Sequence, residues 1–92
     1  MRESKIELLV GRYAKSKGCL YWKFASPGRK GVPDRIIVSP DGHVLFMELK
    51  TKRGKVSPLQ QFQMKVLKQN SANVCCVFSF EEAVQAIESF LA

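Results

Sequence analysis

Apolar positions along the chain fall into helical stripes and extended runs. Ile6, Leu9, Val10 and Tyr13 recur at i, i+3, i+4 and i+7, which predicts a helix from Glu3 or Ser4 to Lys17 with Gly18 as its stop. Residues 19–25 (CLYWKFA) are aromatic-rich and read as a strand, and residues 26–31 (SPGRKG) as a loop. Tyr21, Trp22 and Phe24 could stack on bases, but in the sheet of a small domain they read as core. Residues 34–39 (DRIIVS) and 43–50 (HVLFMELK) flank Pro40-Asp41-Gly42, a hairpin whose turn takes its positive φ from Gly42. Ile36 to Val38 and Val44 to Met47 are apolar without alternation, so both strands are expected to be covered on both faces.

The basic segment 51–56 reads as a loop. Ser57-Pro58-Leu59-Gln60 then opens a second helix, with Ser57 as N-cap, Pro58 in first position and Gln60 closing a capping box. Leu59, Phe62, Val66 and Leu67 are its expected buried face. Residues 73–78 form a fourth strand. Ser79-Phe80-Glu81-Glu82 repeats the capping pattern before a last helix that buries Ala83, Val84, Ile87, Phe90 and Leu91. The order α-β-β-β-α-β-α predicts an α/β fold, a mixed sheet flanked by helices.

Ninety-two residues suit one domain, 1–92, without a linker. With 46% hydrophobic and 25% charged residues and no repeat, the chain is globular rather than disordered or solenoidal. No apolar run is long enough to cross a bilayer, and Met1-Arg2-Glu3-Ser4-Lys5 lacks a signal core, so an intracellular, non-secreted protein is expected. Cys19, Cys75 and Cys76, an odd count with two adjacent, fit small apolar residues in a reduced compartment better than a disulfide framework. His43 is the only histidine, which leaves zinc and Ser-His chemistry without support. Gly28, Gly31 and Gly54 make no nucleotide-binding motif, so no organic cofactor is expected.

Charge adds the first functional hint. The net charge is +7, and residues 1–68 carry all fifteen basic side chains against five acids. Arg29, Lys30, Lys52, Arg53 and Lys55 cluster in loops next to the strand ends, as phosphate contacts would. No helix pairs a basic face with a wide apolar one, so a membrane partner is not expected.

Asp34 and Glu48 bear the chemistry. A three-residue turn sets Ser39 opposite His43, and the same register sets Asp34 opposite Glu48 on one face; a two-residue turn would shift the pairing by one and keep them close. Lys50, two residues on, shares that face, while Leu49 points into the core. Opposed carboxylates at buried strand ends repel each other and need compensation. A divalent cation with hard oxygen ligands supplies it, and so does an Asp–Lys–Glu ion cluster without metal. Spacing alone leaves both open.

Gly31-Val32-Pro33-Asp34 followed by Glu48-Leu49-Lys50 resembles the PD-(D/E)xK nuclease signature. More narrowly, GVPD, then MELKTKRGKVSPLQQ, with Arg2-Glu3-Ser4 at the first helix, is similar to the virus-type replication-repair nuclease (VRR-NUC) domain over residues 3–78. The PD…ExK pair alone is a weak pattern; GxPD, ExK and SPxQ in order are fairly specific. The resemblance implies a restriction-endonuclease-like core with Asp34, Glu48 and the Leu49 carbonyl as ligands of Mg²⁺ or Mn²⁺. It further implies that Lys50 is the catalytic lysine, that Glu3 is the first-helix acid joining the metal site, and that Gln60 is the glutamine of the second helix.

Two of these positions have structural readings as well. Ser4 to Glu7 is itself a possible capping box, so Glu7 competes with Glu3, and Gln60 is equally explained as a cap. The resemblance implies a metal-dependent DNA endonuclease, a homodimer acting on branched DNA such as Holliday junctions in phage replication or repair, inside a bacterial host cell. A flap- or exonuclease of the same superfamily, or a non-catalytic module binding nucleic acid through the basic loops, is the alternative.

Overall fold

A computed structural model describes residues 2–92. The elements follow the expected order: α1 (Glu3–Ser16), β1 (Leu20–Lys23), β2 (Arg35–Val38), β3 (Val44–Leu49), α2 (Pro58–Gln69), β4 (Asn73–Val77) and α3 (Phe80–Leu91). The strands form one sheet in the order β1-β2-β3-β4. The first three are antiparallel, and β4 runs parallel to β3 after the α2 crossover.

One face of this sheet is dry. Ile37, Leu45, Met47, Leu49 and Val77 pack there against Ile6, Val10 and Ala14 of α1 and Ala83 and Ile87 of α3. Gly11 lets α1 approach the sheet, because a Cβ there would lie 2.9 Å from the Tyr21 ring. Tyr13 meets Phe80 edge-on, with ring centroids 6.3 Å apart, and so ties α1 to α3.

The second face differs from the sequence expectation. Ile36, Val38, Val44 and Phe46 are only half-buried, because α2 lies over β4 at one edge of the sheet. The reading of Trp22 as core is overturned, since it is 59% exposed on edge strand β1. The predicted inner face of α2 is also displaced. Leu59 and Phe62 are 45% and 54% exposed, whereas Gln63 is buried and donates to the Lys30 carbonyl at 3.1 Å. Gln63 satisfies a loop carbonyl that would otherwise be stranded, and the helix rotates to deliver it.

The helix starts show which caps are real. At α2 the capping box is complete: Gln60 N donates to Ser57 Oγ at 3.1 Å, and Ser57 N to Gln60 Oε1 at 2.9 Å. At α3 the Ser79 side chain caps Glu82 N, but the Glu82 carboxylate accepts from Phe78 N rather than from Ser79. Helix α1 begins at Glu3 after Arg2 with no side-chain cap, so a Ser4–Glu7 box does not form. Among the described residues no helix is long and apolar enough to cross a membrane.

Candidate active site

The hairpin takes the three-residue turn. Ser39 N donates to His43 O and Gly42 N to Ser39 O, both at 2.9 Å, with Gly42 at φ 89°. Arg35 pairs with Met47, and one step outward Asp34 stands opposite Glu48 at the strand ends. Asp34 Oδ1 accepts from Leu49 N at 3.3 Å, which holds the start of β2 against the end of β3. Glu48 is 3% exposed. Its Oε2 lies 3.6 Å from Lys50 Nζ and accepts from Gln60 Nε2 at 3.3 Å. Glu48 Oε1 is buried with no hydrogen-bond partner among the described residues.

Electrostatics follow from this packing. Burial, reinforced by the Asp34 carboxylate, pushes Glu48 up to about 7, although Lys50 pulls the other way. Asp34 is raised by burial too, against the opposing Leu49 N–H and Arg35. Lys50 alone does not neutralise the pair.

Helix α1 supplies two further acids. Glu3 and Glu7, one turn apart, bring carboxylate oxygens to within 4.8 Å of each other and of Asp34. Their roles divide. Glu7 Oε2 is bound to Arg35 Nη2 at 2.6 Å, while Glu3 makes no side-chain hydrogen bond or ion pair among the described residues. The structure thus brings Glu3, Asp34, Glu48, Lys50 and Gln60 to one end of the sheet, with Gln60 serving both readings: its Oε1 caps α2 and its Nε2 reaches Glu48. An all-oxygen donor set with an orphaned buried carboxylate oxygen fits a hard divalent cation.

A solved VRR_NUC domain superposes on this chain with a TM-score of 0.87, covering 96% of both chains at 28% identity. The chain has the fold of a VRR_NUC domain. A second solved VRR_NUC domain protein, 14% identical, matches with a TM-score of 0.79 over 99% of this chain and 88% of its own, which supports the fold. A protein of Acyrthosiphon pisum secondary endosymbiont phage 1, named "Putative nuclease p44", is 40% identical over 60 residues. That match takes in 65% of this chain and 64% of the phage protein's length. No family model matches the chain.

In this chain the five basic candidates are all exposed. Arg29 and Lys30 lie in the loop entering β2, and Lys52, Arg53 and Lys55 in the loop leaving β3, so both groups flank the carboxylates. Lys52 and Arg53 also border a cavity of about 610 Å³ beside Leu9, Phe78 and Phe80. Two neighbours of the site escape a sequence reading. Arg35 engages Glu7 and lies over the Tyr21 ring at 5.5 Å. Cys76 pairs in register with Glu48, and burial together with the Glu48 charge raises its thiol pKa. The parallel register of β4 sets that proximity, and no local signal announces it.

Proposed function

We propose that this chain is a metal-dependent DNA endonuclease that acts inside the cell as a homodimer on branched DNA. The observation that carries the reading is the Asp34–Glu48 pair, half-buried and buried respectively, opposed at the strand ends with Lys50 beside it. The printed name of the phage relative supports nuclease chemistry. Mg²⁺ or Mn²⁺ would be held by Asp34, Glu48 and the Leu49 carbonyl, with Glu3 joining from α1. When bound, such a cation offsets the carboxylate charge, polarises the phosphodiester and eases deprotonation of water.

The protein's own groups do the rest. Lys50 sets a positive charge next to Glu48, where it orients the attacking water and stabilises charge growing on the phosphoryl oxygens. Water adds to phosphorus as the bond to the leaving sugar oxygen breaks, and a proton ends on that oxygen. Gln60 fixes the Glu48 carboxylate from the start of α2, while Arg29, Lys30, Lys52, Arg53 and Lys55 grip flanking phosphates.

The test is cleavage of labelled four-way junction, flap, splayed-arm, linear duplex and single-stranded DNA in Mg²⁺, Mn²⁺ or EDTA, with Asp34→Ala and Lys50→Ala in parallel. Metal-dependent cutting, greatest on the junction and lost in both variants, is the expected result. Binding of every substrate without cutting in either metal would make the carboxylate pair structural and the protein a binding module.

A further inference from the structure

The cavity of about 610 Å³ has walls from three segments distant in sequence. Leu9 of α1, Phe78 just after β4 and Phe80 at the start of α3 are apolar. Lys52 and Arg53, in the loop leaving β3, and Glu81, in the first turn of α3, are charged. The chain itself joins this cavity to the carboxylate site. Lys52 stands two residues after Lys50, so their Cα atoms are at most about 7.6 Å apart. Ile6, on the α1 wall, comes about one turn after Glu3.

Its two aromatic rings have different duties. Phe80 packs on the core and meets Tyr13 edge-on. Phe78 is half-buried, yet it belongs neither to the core nor to an aromatic pair among the described residues. The charged groups are uncommitted as well. Lys52, Arg53 and Glu81 are exposed and make no side-chain hydrogen bond or ion pair among the described residues, whereas the neighbouring Glu82 is spent on Phe78 N at 3.2 Å. An aromatic wall with two cations and one carboxylate at its rim is therefore left without an internal partner.

We propose that this cavity takes up one unpaired base of the DNA substrate, stacked on Phe78, with the adjoining phosphates on Lys52 and Arg53. The assignment rests on the reading of branched DNA as substrate and gives that preference a physical cause. A paired base has both faces covered by its neighbours in the stack; only an unpaired one offers a free face to an aromatic ring, and taking it up costs least where pairing is already broken. The cavity lies within the range of about 300–1,000 Å³ usual for a single small ligand. Charge sets the orientation. Glu81 repels phosphate from the start of α3, so the backbone lies on the Lys52 and Arg53 side. Its carboxylate can accept from the exocyclic amine of adenine, cytosine or guanine, which thymine lacks.

The test is binding in EDTA of splayed-arm DNA whose unpaired nucleotides are all adenine, all thymine or all abasic, so that phosphate charge is constant. The wild type is expected to bind the adenine arm about tenfold more tightly than the abasic arm, with thymine between. Phe78→Leu keeps apolar bulk without the ring and should bind all three arms alike, with the salt dependence unchanged. Glu81→Gln, at an exposed position, should level adenine with thymine while both stay tighter than abasic. Long-wavelength irradiation of the wild type with 5-iodouracil in the arm should crosslink to the peptide holding Phe78, a readout that needs no variant. Equal affinity of the wild type for all three arms overturns the inference, and so do crosslinks confined to another surface such as Trp22. Crosslinking abolished by micromolar free dAMP, with the three arms bound equally, would make the cavity an effector site and overturn it too. The cleavage panel is read separately: cutting of the junction with no discrimination among the arms leaves the nuclease and removes the pocket, and discrimination without cutting does the reverse.

Discussion

At Glu48, burial and the facing Asp34 act in one direction. Its carboxyl is raised from an ordinary 4.5 to about 7, so the unfolded chain ionises first as pH rises. Folded stability from this group is therefore undiminished below about pH 4.5, falls through the interval, and is lowest above about pH 7, by at most about 3 kcal/mol. Metal-free protein is accordingly expected to melt at lower temperature as pH rises from about 5 to about 8. Glu48→Gln should flatten that slope and melt higher than wild type at the alkaline end. Mg²⁺ should raise the wild-type melting temperature there and leave the variant unchanged; calorimetry with and without metal reads all three. Lys50 bears on cleavage rather than on stability. Lys50→Ala removes the ammonium beside Glu48, so single-turnover cleavage should slow about 10²- to 10³-fold with DNA affinity nearly kept. Asp34, Glu48 and Lys50 were legible in the sequence because a hairpin is local, and counting back from its turn places them. The Glu7–Arg35 pair and the neighbourhood of Cys76 were not, because a helix docking and a parallel register bring together residues far apart in the chain.

Among the elements, α2 couples stability to the site through one residue. Ser57→Ala removes the cap of Gln60 N and is expected to cost about 1 kcal/mol in chemical denaturation with cleavage largely retained. Gln60→Glu keeps a capping side chain but sets a carboxylate against Glu48 Oε2 in place of the amide that donates to it, so cleavage should fall much more than stability. Equal losses in the two variants would reduce Gln60 to a cap. Gly31 fixes where α2 begins relative to the Asp34 loop. Its φ is +85°, and a Cβ there would lie 2.8 Å from Leu59 Cγ and 3.1 Å from Leu59 backbone. Gly31→Ala is therefore expected to destabilise by about 1–3 kcal/mol, a loss visible as a shifted denaturation midpoint. The start of α2 was readable from Ser57-Pro58-Leu59-Gln60 alone. Its rotation was not, since Gln63 turns inward to meet a loop carbonyl that no pattern of apolar residues reveals.

For the molecule as a whole, charge and apolar surface are segregated. The basic loops flank the carboxylates, and the open sheet face carries none of their charge. If Arg29, Lys30, Lys52, Arg53 and Lys55 each meet a phosphate, replacing one by Ala should flatten the log–log salt dependence of duplex binding by about 0.9. Affinity should fall alike on all sequences, and titrations at several salt concentrations check this. A slope unchanged in all five variants would move the nucleic acid to another surface.

Periodicity, caps and turn residues by themselves determined the seven elements and their order and narrowed the hairpin register to two, because each depends on neighbours within a few residues. The apolar character of both faces of β2 and β3 was equally plain in the sequence. Tertiary structure alone decided which face the helices close: α1 and α3 share one side, and α2, drawn to β4 by the crossover, leaves the other largely bare. The pairing of Glu7 with Arg35 was decided there too, leaving Glu3 beside Asp34 without a side-chain partner among the described residues, for that choice rests on how α1 sits across the sheet.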